Sequence, residues 1–438
     1  MFRVLSILFF LIVSLNSSAQ TYTLQQCIDT ALANNIGVKQ SDLLRQTAQV
    51  NFNQSRLNIL PFVNAGISHD IYNGRSIDPA SNGYVNQKLG SANYQLNSGF
   101  VLFNGGNLQN TIKQDAAAFE ASNMELQQAK DNLVLNVILA YLQVLNNEDI
   151  LLSATNQAEV SSKQLERLDI LNKQGAIKPS EFSDLKGQLM NDQLSIVTAR
   201  NAVETSKLSL AQLMNKPYDA QMKIERVDIG EFMLSYAASA NDVYKNALQQ
   251  FSLVKAVELR TKSFAYGSKA ARSALFPTVS IGGGLYTNYS SIAQNASGKI
   301  PYDSQLKNNV STSVGVGISI PIFNRLLQRN RVKLADILLK NSKLEEENTK
   351  VQLRQNIEQA HLNMTNAYDR YKVLLDQVAA YTESFNAAEV RYNAGVGISI
   401  DYLTAKDRLD RANINLISAK YDFVLRKRIL DYYNGKAQ

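Results

Sequence analysis

From residue 107 to residue 171 the chain contains neither glycine nor proline. Within that stretch mostly apolar or small residues recur in steps of three and four: Val137, Ala140, Val144, Asn147, Leu151, Ala154, Ala158, Ser161, Leu165 and Leu168, then Asn172. A second run does the same at Ile357, Ala360, Met364, Ala367, Tyr371, Leu374, Val378, Tyr381, Phe385, Ala388 and Tyr392. A strict period of about 3.5 residues is the seam of a left-handed coiled coil. At ~1.5 Å per residue the first run allows a helix of about 100 Å. Helices of globular proteins average about a dozen residues, so an ordinary globular bundle is excluded. Each run ends in a glycine turn, Gln174-Gly175-Ala176 or Ala394-Gly395-Val396, and a return helix follows, Ser180–Met214 or Ile400–Tyr433. Two long antiparallel hairpins are expected, over 106–214 and 325–433.

The two runs read as copies of one unit. Leu102-Phe103-Asn104 matches Ile322-Phe323-Asn324 at an offset of 220 residues (323 against 103). Gly175 matches Gly395, Glu181 matches Asp401, Lys186 matches Lys406 and Leu189 matches Leu409 at the same offset. Leu60-Pro61 matches Phe276-Pro277 at a slightly shorter offset of 216 (277 against 61). An internal two-fold repeat is expected, 20–215 and 239–435. Residues 216–238, with Pro217 and Gly230, form the linker. A period this long is a duplicated domain-sized unit and not a solenoid.

Each half also carries two segments with period-two alternation, about 61–72 and 93–104, then about 277–289 and 310–322. In the last, Val310, Thr312, Val314, Val316, Ile318, Ile320 and Ile322 alternate with serine, glycine and proline. Alternation of this length, apolar on one side and small or polar on the other, marks transmembrane β-barrel strands. Four strands cannot close a barrel, since membrane barrels start at about eight. Open edges are excluded from lipid, because backbone groups there lose their partners. The chain therefore needs copies of itself, with eight strands in a dimer or twelve in a trimer. The polar segments 73–91 and 290–309 read as outer loops. The opposite strand ends run into helices, which places the helices on the periplasmic side. Tyr72, Tyr94, Tyr286 and Tyr289 fall where an interfacial aromatic girdle is expected. The fold class is an α+β membrane protein.

Residues 1–19, with Arg3, an apolar run from Val4 to Val13 and Ser17-x-Ala19, read as a secretory signal peptide. About ten apolar residues fall short of the roughly twenty that span a bilayer. One cysteine and two histidines leave no zinc cluster and no disulfide framework. No metal or cofactor is expected, and the chain does not read as an enzyme. The net charge of +7 comes from 45 basic and 38 acidic residues that are intermixed. It therefore points to no nucleic-acid partner. Gly315-x-Gly317 lies inside a strand and does not read as a nucleotide loop.

The paired repeats, Leu-Phe-Asn-Gly-Gly (102–106) with Ile-Pro-Ile-Phe-Asn (320–324) at the strand-to-helix junctions, and the glycine turns resemble TolC-type outer-membrane efflux proteins over residues 20–435. That resemblance implies a homotrimer whose twelve-stranded β-barrel, four strands per chain, continues into a long α-helical coiled-coil barrel. It implies a place in the outer membrane of a Gram-negative bacterium, in contact with outer-membrane lipid and spanning into the periplasm. The implied role is a passive exit duct of a tripartite efflux pump or a type I secretion system. Its implied partners are a periplasmic adaptor protein and an inner-membrane pump. The tips Gln174, Gly175, Ala176, Ala394, Gly395 and Val396 are where the family docks its adaptor, although each glycine also suits an ordinary helix C-cap. The family's two constriction aspartates fall on Asp401 and Thr404, and its closing tyrosine and aspartate fall on Tyr392 and Glu181. A family arginine after the second turn is replaced by Gly397, with Lys178 and Arg391 nearby. The alternative is a periplasmic coiled-coil adaptor, which would carry one hairpin per chain, biotinyl-like β halves and an inner-membrane or lipid anchor.

Overall fold

A computed structural model describes residues 21–227 and 236–435. The signal-peptide reading of residues 1–19 and the linker glycine Gly230 lie outside the described residues. The first half runs β1 (Thr21–Tyr22), α1 (Leu24–Asn34), α2 (Ile36–Leu57), β2 (Phe62–Tyr72), β3 (Arg75–Ile77), β4 (Tyr84–Asn86), β5 (Leu89–Phe103), α3 (Asn107–Lys173) and α4 (Pro179–Leu213). After β6 (Lys223–Ile224) come α5 (Ala240–Gln250), α6 (Ser252–Ser273), β7 (Thr278–Ser290), β8 (Gln294–Asn295), β9 (Gly298–Lys299) and α7 (Tyr302–Asn308). The chain ends in β10 (Ser311–Ser319), α8 (Leu327–Asn393) and α9 (Ser399–Tyr433). Helices of 11, 22, 67 and 35 residues occur in that order in each half. The 11-residue helix that opens each half starts on a side-chain cap. Thr23 and Gln26 form a reciprocal capping box before α1, and the Ser239 hydroxyl accepts the Asp242 N–H before α5. No helix among the described residues is long and apolar enough to cross a membrane.

The chain divides into two compact units. One is helical and gathers the described residues of Met1–Leu43, Met124–Lys255 and Asn348–Gln438. Within it, every seam position from Val137 to Asn172 on α3 and from Ile357 to Tyr392 on α8 is buried or half-buried. The 3.5-residue pattern thus selects the packed face of each long helix. Val137, Tyr141, Val144, Leu210, Met214 and Val424 enclose Cys27 and Ala31 in its largest core cluster. The buried Tyr141 hydroxyl donates to the carbonyls of Glu225, at 2.5 Å, and Tyr22, at 3.2 Å. It thereby supports the parallel pairing of β1 with β6.

The other unit, Leu44–Asn123 with Ala256–Glu347, holds an antiparallel sheet ordered β10-β7-β5-β2. Register gives the sheet two unlike faces. One carries Val63, Ile67 and Ile71 with Leu96, Phe100, Ile281, Leu285, Val314, Val316 and Ile318. The other carries Asn64, Gly66, Ser68 and Asp70 with Asn93, Gln95, Asn97, Gly282, Gly284, Ser313, Gly315 and Gly317. Its strand positions are nearly all neutral and small. Among the described residues neither β2 nor β10 has a second strand partner.

Strand parity corrects the girdle reading. Tyr94 and Tyr289 lie on the apolar face, and their rings or hydroxyls meet Tyr302. Tyr72 and Tyr286 lie on the polar face. There the Tyr286 hydroxyl donates to Asn97 Oδ1 at 2.8 Å. The segments read as loops contain the β3–β4 and β8–β9 ribbons and α7. β5 starts at Leu89 and not near 93, and β10 stops at Ser319, since Pro321 has no N–H for the ladder. At the strand-to-helix junctions, Gly105 and Gly106 (φ +67 and +82) in the first half correspond to Arg325 and Leu326 (φ +55 and +62) in the second.

Candidate functional site

The turn ends of the two hairpins, within the helical unit, share one backbone design. In the first, Gly175 N–H reaches Asn172 O at 3.0 Å and Ala176 N–H reaches Leu171 O at 2.9 Å. In the second, Gly395 N–H reaches Tyr392 O and Val396 N–H reaches Arg391 O, both at 3.1 Å. This pair of bonds around a left-handed residue is the Schellman cap. Gly175 and Gly395 supply it with φ of +67 and +73. A Cβ on either glycine would meet nothing within 4 Å, so the turns are bare. They differ in what they present. Pro179 opens α4 after Lys178, whereas the second turn leaves Val396 at 78%, Ile398 at 59% and Ile400 at 63% exposure. Gly397 sits close to backbone, since a Cβ there would lie 3.1 Å from Tyr392 N and 3.2 Å from Arg391 C, a tight fit.

Asp401 is exposed in the first turn of α9, where a negative charge complements the helix dipole. Thr404, also exposed, turns its hydroxyl back onto Ile400 O at 2.7 Å. Glu181 is half-buried in the first turn of α4. The expected link between Tyr392 and Glu181 is not a hydrogen bond within the chain, as the buried Tyr392 hydroxyl has no partner among the described residues. The two are nonetheless electrostatically coupled. Burial first, and then the Glu181 carboxylate, push the Tyr392 phenol above its ordinary value. The reason lies in packing. The Tyr392 ring stacks on Tyr402, with centroids 5.0 Å apart, and joins the cluster of Leu168, Leu185 and Tyr402.

Several residues of this region have no signal in the sequence, because their partners lie far away along the chain. Arg167 on α3 donates to the side-chain oxygen and, at 3.0 Å, the carbonyl of Asn393 at the end of α8. Gln164 adds a bond to Asn393 Oδ1 at 3.2 Å. Deeper along α9, buried Lys406 lies 3.1 Å from Asp192 Oδ2 on α4 and 2.6 Å from Asp410 Oδ2. Asp192 also accepts from the Ser161 hydroxyl at 2.5 Å and from Gln188 at 2.8 Å. Burial pushes the Asp410 carboxyl up, against the pull of Lys406. Among the described residues no group of three or more histidine, cysteine or acidic side chains is arranged to hold a metal. The arrangement is one of packing, hydrogen bonds and charge around a bare tip.

The family model for outer membrane efflux proteins matches residues 27–216 and again 243–431. The chain belongs to the outer membrane efflux protein family. Among its relatives, outer membrane protein TolC of Escherichia coli (strain K12) is 23% identical over 415 residues, covering 94% of this chain and 82% of that protein. The toxin and drug export protein A of Aggregatibacter actinomycetemcomitans is 21% identical, covering 92% and 83%. Among solved structures, a CusC structure superposes with a TM-score of 0.80 at 16% identity, over 96% of this chain and 95% of that one. The open-state MtrE channel of Neisseria gonorrhoeae gives 0.77 at 19% identity, over 94% and 88%. This efflux protein therefore has the channel fold of its relatives, helix-rich with a sheet, and is an outer-membrane protein of the Gram-negative type. Its family is one of transport proteins and not of enzymes, and the adaptor alternative is not favoured.

Proposed function

We propose that three copies of this efflux protein close a twelve-stranded barrel in the outer membrane, and that their helical hairpins continue it as a periplasmic duct. The observation that carries this reading is the sheet, with one apolar face, one neutral polar face and two edges without partners. The order β10-β7-β5-β2 is antiparallel throughout, so β10 of one copy meets β2 of the next in antiparallel sense. Closure then preserves the ladder and removes every edge, as lipid demands. The apolar face, with Val314 at 87% and Ile67 at 75% exposure, gains lipid. The Asn, Ser and Gly face lines the lumen. The equal helix lengths of the halves support the duplication read from the sequence, with 20–215 and 239–435 as its copies and 216–238 as the linker.

The duct carries substrates passively, driven by an inner-membrane pump through a periplasmic adaptor. Gln174, Gly175, Ala176, Ala394, Gly395 and Val396 form the docking tips, and the second tip offers Val396 as an apolar stub. Asp401, Thr404, Glu181 and Tyr392 form the constriction, where three-fold repetition turns each Asp401 into part of a cation-attracting ring. The test is cell fractionation followed by planar-bilayer recording. The mature chain is expected in the outer-membrane fraction and ion-conducting once reconstituted. A chain that stays in the soluble periplasmic fraction and gives no conductance contradicts it.

A further inference from the structure

We infer that Lys406 is a positioning residue of the gate, tying α9 to the first helical hairpin and so holding Asp401 at the constriction. The inference rests on the duct reading above. Asp401 and Lys406 share α9, five residues apart, so the constriction widens only if this part of α9 moves against α3 and α4. Lys406 opposes that movement directly. It is 2% exposed, its partner Asp192 on α4 is 6% exposed, and the 3.1 Å bond between them joins one hairpin to the other. Tyr402, one turn earlier on the same face of α9, packs with Leu168 and Leu185 of the first hairpin and makes the contact continuous.

The pair is built to part and re-form. A buried charge stripped of all partners is strongly unfavourable, yet neither side would be left alone here. On separation Asp192 keeps the Ser161 hydroxyl and the Gln188 amide, both of the first hairpin. Lys406 keeps Asp410, on its own helix. A cleft of about 230 Å³, lined by Asn156, Gln157, Phe385, Lys406, Asp410 and Asn413 among others, adjoins the pair and gives water a way in. Lys207 provides the contrast. It too is buried, but its partner Glu148, at 3.6 Å, lies within the same hairpin. Movement of one hairpin against the other leaves that pair intact.

The experiment records the full mature protein in planar bilayers of phosphatidylethanolamine and phosphatidylglycerol, with assembly checked on unheated gels. Lys406→Met is expected to raise the open fraction about tenfold over the unsubstituted protein. Asp192→Asn, whose amide still bonds Ser161 and Gln188, is expected to raise it in the same direction and carries the test if Lys406→Met does not assemble. Lys207→Met should conduct as the unsubstituted channel does. An assembled Lys406→Met or Asp192→Asn channel with unchanged or lower open fraction overturns the inference. So does an equal rise in Lys207→Met, which would mark general loosening. Absence of conductance from the unsubstituted protein itself overturns the duct reading, and is thereby distinguished from failure of Lys406 alone.

Discussion

Gly106 and Leu326 make the same turn with different chemistry. A non-glycine residue in the left-handed region costs roughly 1–2 kcal/mol, so the second junction is strained where the first is not. Leu326→Gly should therefore raise stability by about 0.5–1 kcal/mol, once the extra freedom of glycine in the unfolded chain is subtracted. Gly105→Ala should lower it by more than the conformational term, because the new Cβ would lie 2.7 Å from Ser273 O and 2.8 Å from Phe276 Cβ. Gly175→Ala meets open space and should cost only the conformational term. Thermal melts of the helical circular-dichroism signal in detergent rank the three variants. Cys27 offers a titration check. Burial pushes its thiol up to about 11, against the weaker pull of Lys216. Its contribution to folding is therefore complete below the ordinary value of 9.0 and fades as pH rises through about 11. At neutral pH a maleimide should label Cys27 only after denaturant is added, and rapid labelling of the folded protein would contradict its burial.

Among the elements, β10 gives the sharpest contrast, because neighbouring residues on it meet opposite environments. Lysine at Val316, on the apolar face, is expected to cost about 2–4 kcal/mol if that position lies near the bilayer midplane. Lysine at Ser313, on the polar face, should fold normally and shift conductance toward anions. Urea titration of vesicle-inserted protein and bilayer reversal potentials separate the two. The same strand shows why the sequence is informative where it is. Its Val and Ile residues alternate with Ser and Gly, and a period of two is local information. The heptad seams of α3 and α8 are local in the same way, so helix-rich architecture with a sheet is legible directly. β5 begins ahead of its recognisable pattern, since Leu89-Gly90-Ser91 offers one apolar residue to alternate. The β3–β4 and β8–β9 ribbons and α7 are too short to show any period. Tyr286 leaves the expected girdle because it falls out of step with Ile281 and Leu285 on its own strand, and its pairing with Gln95 puts it on the polar face. At the candidate site the glycine turns are legible from composition and spacing. Arg167 with Asn393, and Lys406 with Asp192, are not, because each pair joins residues 226 and 214 positions apart.

For the whole molecule, one requirement organises everything else: an amphipathic four-stranded sheet needs neighbours on both edges. The arrangement of hairpins, tips and Asp401 acquires meaning as a gate only if copies surround an axis. Lys406 and Arg167 matter then because they set how one chain's two hairpins sit together. The most direct measurement is the stoichiometry of the intact particle, by native mass spectrometry of the mature protein released from detergent micelles. Three chains per particle are expected, with no stable species soluble in the absence of detergent. A monomer that remains folded and dispersed in plain buffer would contradict it.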